Sequence, residues 1–272
     1  MRLAIGMRKR MKQIRKWRIA GLILLAAGIL AACDAPETGR ELSENLSQPE
    51  AGAQTELTGS EELSREISRD ADPQACREQE TDDMQRYLRQ ATVQIQGAKY
   101  LGSGVIWAAE EDYLVIATAA HVAEDNEPLT VQFVQGEPLA AEPGAAADRV
   151  DLAFLRVDRR QVQEQGIPWQ AARQDQEVCD GLAAGEELLI MGSIEETADR
   201  IYSGSVTESW VYLEDFDNYM LLGHAYAIPG VSGGGVFTAD GILVGILCGG
   251  NAADEIAVLP YSVMAANSSG LW

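Results

Sequence analysis

The 272-residue chain predicts an all-β fold, a sandwich or barrel of short strands, carried behind an N-terminal segment that lies outside the core. Three observations predict it. Short apolar–polar alternations such as Thr92–Gln96 recur between polar or glycine-containing turns, among them 110–112 and Asp240-Gly241, as antiparallel strands with one buried face require. The strands do not alternate with long helical patterns, as βαβ units would, and no repeat of fixed period is visible. Hydrophobic residues make up 46% of the chain, enough for a sizeable core in one or two domains.

Residues 1–32 read as an export signal. Eight of the 21 basic residues lie there with no acid, and an apolar run from Ile19 to Leu30 follows the last of them, Arg18. That run is short for a spanning helix. Beyond it the chain carries 13 basic against 42 acidic residues, a formal −29, and a single lysine, Lys99. Such a surface repels phosphate, so a nucleic-acid partner is excluded. Residues 33–75 are rich in Glu, Ser, Thr, Gly, Ala and Pro. They hold too little apolar surface to offset ordering entropy and read as a solvated tether. A short lead-in helix is expected over 76–90.

From Ala91 the texture is that of strands, expected at Thr92–Gln96, 102–108, 113–118, 129–134, 152–157, 187–191, 201–213, 219–226, 236–237, 242–247 and 255–258. Polar, proline-bounded sequence at 161–173 fits a connection between two halves. Cysteines are few. Cys76 and Cys179, both in polar surroundings, could pair, while Cys248 ends an apolar strand and reads as a buried thiol.

Chemistry concentrates at Pro229-Gly-Val-Ser-Gly-Gly-Gly235. A serine between glycines, ahead of Val236 and Phe237, sits on a tight turn entering a strand, where its hydroxyl can be presented and backbone N–H groups can converge. A nucleophilic serine needs a base, and the chain has two histidines, His121 and His224. His121 ends an apolar strand. Asp151, thirty residues on, heads the strand that buries Leu152 and Phe154, and a carboxylate buried there must find a hydrogen-bond partner. His224 reads as packing. Two histidines and no paired cysteines at ligand spacing make a metal site improbable, and no cofactor is expected.

Thr118-Ala-Ala-His121, Asp151-Leu-Ala-Phe-Leu155 and Gly230-Val-Ser-Gly-Gly234, in that order, resemble the three signatures of chymotrypsin-fold serine proteases. The bacterial HtrA/Deg branch is the nearer likeness, through Gly102-Ser-Gly-Val105, Ala227-Ile-Pro-Gly230 and Gly241-Ile-Leu-Val-Gly-Ile246. The resemblance covers about residues 90–265 and implies a protease domain over 91–268, two six-stranded antiparallel β-barrels packed together with the active site between them. It implies Ser232 as nucleophile, His121 as general base, Asp151 as its orienting acid, and the N–H groups of Gly230 and Ser232 as the oxyanion hole. It places a substrate pocket at Tyr226, Ala227, Ile228, Cys248 and Gly249, suited to small or medium apolar residues. Leu30-Ala-Ala-Cys33 likewise resembles a bacterial lipobox. That implies lipidation of Cys33 and anchoring on the outer face of a membrane, with protein or peptide substrates there.

The chain departs from the family at Val231, where Asp or Asn is usual, and at Gly235, where Pro or a small residue is usual. Only 40 residues follow Ser232, so no PDZ module is expected. Tyr226 stands where basic-specific members carry an aspartate, so cleavage after Lys or Arg is not expected. An enzyme is the leading expectation. The competing one is a double barrel that binds peptides or partners with little or no hydrolysis, and Val231 is the feature that favours it. Oligomeric state is left open.

Overall fold

A computed structural model describes residues 73–147, 149–192, 201–226 and 230–268. The expected export segment, most of the tether, Cys33, and the pocket residues Ala227 and Ile228 lie outside them.

The described residues form two closed six-stranded barrels, as the resemblance implied. The first contains β1 (Thr92–Gln96), β2 (Leu101–Ala109), β3 (Tyr113–Thr118), β4 (Leu129–Gln132), β5 (Leu139–Ala146) and β6 (Ala153–Asp158), in the order β1-β2-β3-β6-β5-β4. The second contains β7 (Glu187–Met191), β8 (Ile201–Leu213), β9 (Asn218–Ala225), β10 (Gly235–Thr238), β11 (Leu243–Gly250) and β12 (Glu255–Pro260), in the order β10-β11-β12-β9-β8-β7. Every pairing is antiparallel, and β1–β4 and β10–β7 close the barrels, which leaves no sheet edge unpaired.

Eleven of these strands fall where the sequence places them. The twelfth, β5, does not, because Leu-Ala-Ala-Glu-Pro-Gly-Ala-Ala holds one large apolar residue and a proline. The structure accommodates Pro143 at an irregularity: the β5–β6 register shifts between Pro143 and Ala146, the kind of place where a strand tolerates a residue with no N–H.

The larger apolar cluster fills the first barrel and continues into the second through Phe237, Leu243 and Ile246, and a smaller cluster lies wholly in the second half. Val93, Ile95, Val105, Ile116 and Leu155 are buried in the first, and Leu188, Ile190, Val206, Val244 and Val258 in the second. The lead-in helix is longer than the sequence suggests and runs Pro73–Ala91 (α1). It packs where the two halves meet. The Tyr87 hydroxyl donates to Gly241 O at 3.1 Å and accepts the Arg173 N–H at 2.7 Å. The Tyr87 ring also stands edge-on to Phe237. Between the barrels lie the short helices Arg159–Glu164 (α3) and Gln176–Asp180 (α4) with extended chain, which is the expected connection. Tyr261–Ser268 (α5) closes the described fold.

Candidate active site

His121 is placed by the end of β3. Buried Thr118 donates its hydroxyl to Ser103 O at 2.7 Å, which ties β3 to β2 at the barrel rim. The chain then turns through one helical turn, Ala120–Ala123 (α2), which carries His121 away from the sheet. Asp151 sits immediately before β6, the strand hydrogen-bonded to β3, so pairing of β3 with β6 brings the two residues together.

Their contact is two-pronged. Asp151 Oδ1 accepts the His121 backbone N–H at 3.0 Å, and Oδ2 lies 2.7 Å from His121 Nδ1. The side chains are 13% and 9% exposed, so water competes little for either. A carboxylate only accepts, so the hydrogen of the neutral imidazole belongs on Nδ1 and Nε2 is the basic nitrogen. That is the tautomer a general base needs.

The serine turn comes from the other barrel and is fastened to the first. Ser103 donates its N–H to Ser232 O at 2.8 Å and its hydroxyl to Gly230 O at 2.8 Å. Within the second barrel, Gly233 N–H donates to Leu247 O at 2.7 Å and Leu247 N–H to Gly234 O at 2.9 Å. Gly233 adopts φ +82°, and a Cβ there would collide with Ser103 O and Thr118 Oγ1. Only glycine satisfies both demands. The turn therefore lies against the strand ends that carry His121, and all three signatures border one seam between the barrels.

Comparison with known proteins agrees with this architecture. The family described as trypsin-like peptidase domain matches residues 102–246, a little over half of the chain. The chain belongs to the trypsin-like peptidase family. A curated relative, the "Serine protease HtrA-like" protein of Staphylococcus aureus, is 26% identical over 177 residues, covering 60% of this chain and 22% of that protein. The chain thus spans about a fifth of that relative's length.

Among solved structures, the inactive form of the Rv3671c protease, a protein of M. tuberculosis, superposes with a TM-score of 0.57 at 18% identity. The match covers 70% of this chain and 93% of that one. The serine endoprotease from Yersinia pestis gives 0.55 at 20% identity, over 68% of this chain and 64% of the other. At these identities the likeness is one of fold.

The peptidase domain places the remaining expected residues unevenly. Cys248 is buried with its thiol toward Asp151, 3.7 Å from the Asp151 carbonyl. It stands beside Asp151, on the side of the histidine–aspartate pair. Burial, and next the Asp151 charge, push this thiol well above its usual pKa, so it stays protonated beside the carboxylate. Gly249 follows it, half-buried, while Tyr226 is 61% exposed with its ring against Tyr202. His224 is exposed on β9, opposite Glu255 and Ser205. Cys179 is a free thiol donating to Leu243 O at 3.2 Å, and the side chain of Cys76, considered as its partner, lies outside the described ones. Among the described residues no cluster of His, Cys, Asp or Glu could hold a metal ion.

Sequence reasoning missed Ser103, which holds the serine turn through its backbone and hydroxyl. Its only signal was the Gly-Ser-Gly triplet, in which a small polar residue flanked by glycines implies a close approach.

Proposed function

We propose that the protein is a serine endopeptidase in which Ser232, His121 and Asp151 hydrolyse peptide bonds through a covalent acyl-enzyme. The observation that carries this reading is the two-pronged hold of Asp151 on His121, which fixes both ring orientation and tautomer. His121 Nε2 takes the Ser232 proton as Oγ attacks the scissile carbonyl, and the same imidazolium then protonates the leaving amine. Asp151 stabilises the charged ring without taking a proton. The N–H groups of Gly230 and Ser232 receive the developing oxyanion.

The proposed substrates are proteins or peptides. The basic-then-apolar sequence of residues 1–32, with Cys33 as lipid attachment point, supports a workplace outside the cytoplasm at a membrane surface. The strongly acidic chain beyond it suits a domain held off an anionic surface.

Treatment of the protein with a serine-directed fluorophosphonate, followed by mapping of the adduct, tests the reading. Labelling of Ser232 that is lost in Ser232→Ala and weakened in His121→Ala is expected. A folded wild-type protein that never labels points instead to a binding module.

A further inference from the structure

Val231 stands between the two proposed oxyanion donors, and its side chain is 1% exposed. It belongs to the apolar cluster of the second barrel, with Leu188, Ile190, Val236 and Leu247. Its fit is closed by two glycines. A Cβ on Gly192, the residue after β7, would lie 2.5 Å from Val231 Cγ1, 2.7 Å from its Cβ and 2.8 Å from its Cα. A Cβ on Gly234 would lie 2.6 Å from Met191 O, 2.8 Å from Val231 O and 3.1 Å from Gly192 Cα. Those separations are far inside van der Waals contact, so the Gly192 main chain rests directly on the valine and the turn rests on Gly192. The turn also closes on itself, with Gly234 N–H donating to Val231 O at 2.8 Å.

We infer that Val231 is a positioning residue that presets the oxyanion turn: an apolar plug seated between Gly192 and the second-barrel core fixes the N–H groups of Gly230 and Ser232 on either side of it. The inference rests on the reading of Ser232 as nucleophile. A carboxylate buried at this position would need a cationic partner to offset its desolvation. A valine needs only a cavity of its own shape, and its β-branched side chain loses little rotamer freedom on seating. The plug holds no titratable group, so the turn keeps its form at any pH and ionic strength that preserves the barrel. The departure that seemed to weaken the site instead supplies its fixture.

The test compares Val231→Ala with Val236→Ala in the full chain. Val236 is equally buried in the same cluster but lies in β10, outside the turn. Both variants should melt earlier. Only Val231→Ala should lower kcat and the rate of Ser232 labelling, by about 10²-fold, as for loss of one oxyanion donor, with KM within about threefold because ground-state binding does not use the hole. Amide hydrogen exchange over 230–235 should accelerate in Val231→Ala alone. Equal rate losses in the two variants, or an unchanged exchange pattern over the turn, would overturn the inference. Exchange decides separately from chemistry: if wild-type Ser232 never labels, the nucleophile reading fails, yet a turn that is protected only when the valine is present still supports the plug.

Discussion

Asp151→Asn gives the most direct access to the chemistry, because the structure dictates what the new amide must do. Asp151 Oδ1 accepts a backbone N–H at 3.0 Å, and that donor cannot move without moving α2. If the asparagine carbonyl keeps this bond, its NH2 group faces His121 Nδ1, which must then accept. The ring hydrogen shifts to Nε2, and the imidazole can no longer take the serine proton. If the amide flips instead, NH2 meets the backbone N–H and two buried donors oppose each other, at about 1–3 kcal/mol. The productive tautomer is therefore a minor species. Whatever fraction remains also lacks the carboxylate that stabilises the imidazolium, and a hydrogen bond to a charged group is worth about 1.5–3 kcal/mol. Together these place the loss of kcat/KM at about 10²–10⁴-fold. Asparagine is isosteric, so Tm should move by only a few degrees. Hydrolysis of a peptide substrate and pseudo-first-order fluorophosphonate labelling would both report the loss. A variant that keeps more than a tenth of wild-type activity would refute the claim that Asp151 sets the tautomer.

Other outcomes follow from the same contacts. Gly233→Ala forces a left-handed alanine, costing about 1–2 kcal/mol, and drives its methyl into first-barrel atoms, so Tm should fall. Turnover should drop about 10²-fold or more because the serine is displaced; wild-type turnover would show that the seam is looser than its contacts imply. Tyr87→Phe leaves the Arg173 N–H and Gly241 carbonyl without their partner, which should lower stability by about 1–3 kcal/mol. Activity per folded molecule should be preserved, as read by denaturant titration beside active-site titration.

Burial, then the charges of Asp180 and Asp175, raise the Cys179 thiol from 9.0 to about 12. In the unfolded chain that thiol ionises from pH 9 upward while the folded one stays neutral, so its contribution to stability is intact below pH 9 and is lost toward pH 12. Stability measured from pH 8 to 11 should fall more steeply in wild type than in Cys179→Ala; parallel curves would refute this.

The fold was legible where apolar or alternating runs lie between turn signals. β1, β3, β7 and β8 coincide with their sequence patterns for that reason, β1 and β3 being buried along almost their whole length, and the turn at Gly241 was legible because its φ of +80° suits glycine. β5 was not, because closure of the barrel and not its own composition makes it a strand. His121 stood out because the chain has only two histidines, and Asp151, one aspartate among many, because it heads the strand that buries Leu152 and Phe154. What stayed hidden depends on which way a side chain faces in the assembled molecule. Cys248 is one such case, since β11 turns its thiol toward Asp151. Val231 looked like a defect in the serine turn, because nothing local reveals that Gly192, 39 positions earlier, provides its seat. The backbone bond from Ser103 to Ser232 is invisible for the same reason, since main-chain partners leave no trace in residue type.

The helix α1 has a mechanical consequence. The chain enters the first barrel at Thr92 directly from α1, yet the helix is pinned through Tyr87 to Arg173 and Gly241, on the linker and the second barrel. A pull on the N-terminal end therefore meets the second half of the protein before it reaches β1. Tension from that direction is shared across the joint between the halves instead of peeling away the first strand, and the seam where the serine turn sits is shielded from it. A domain fastened at that end can be tugged or tilted while the distance between its two halves stays constant.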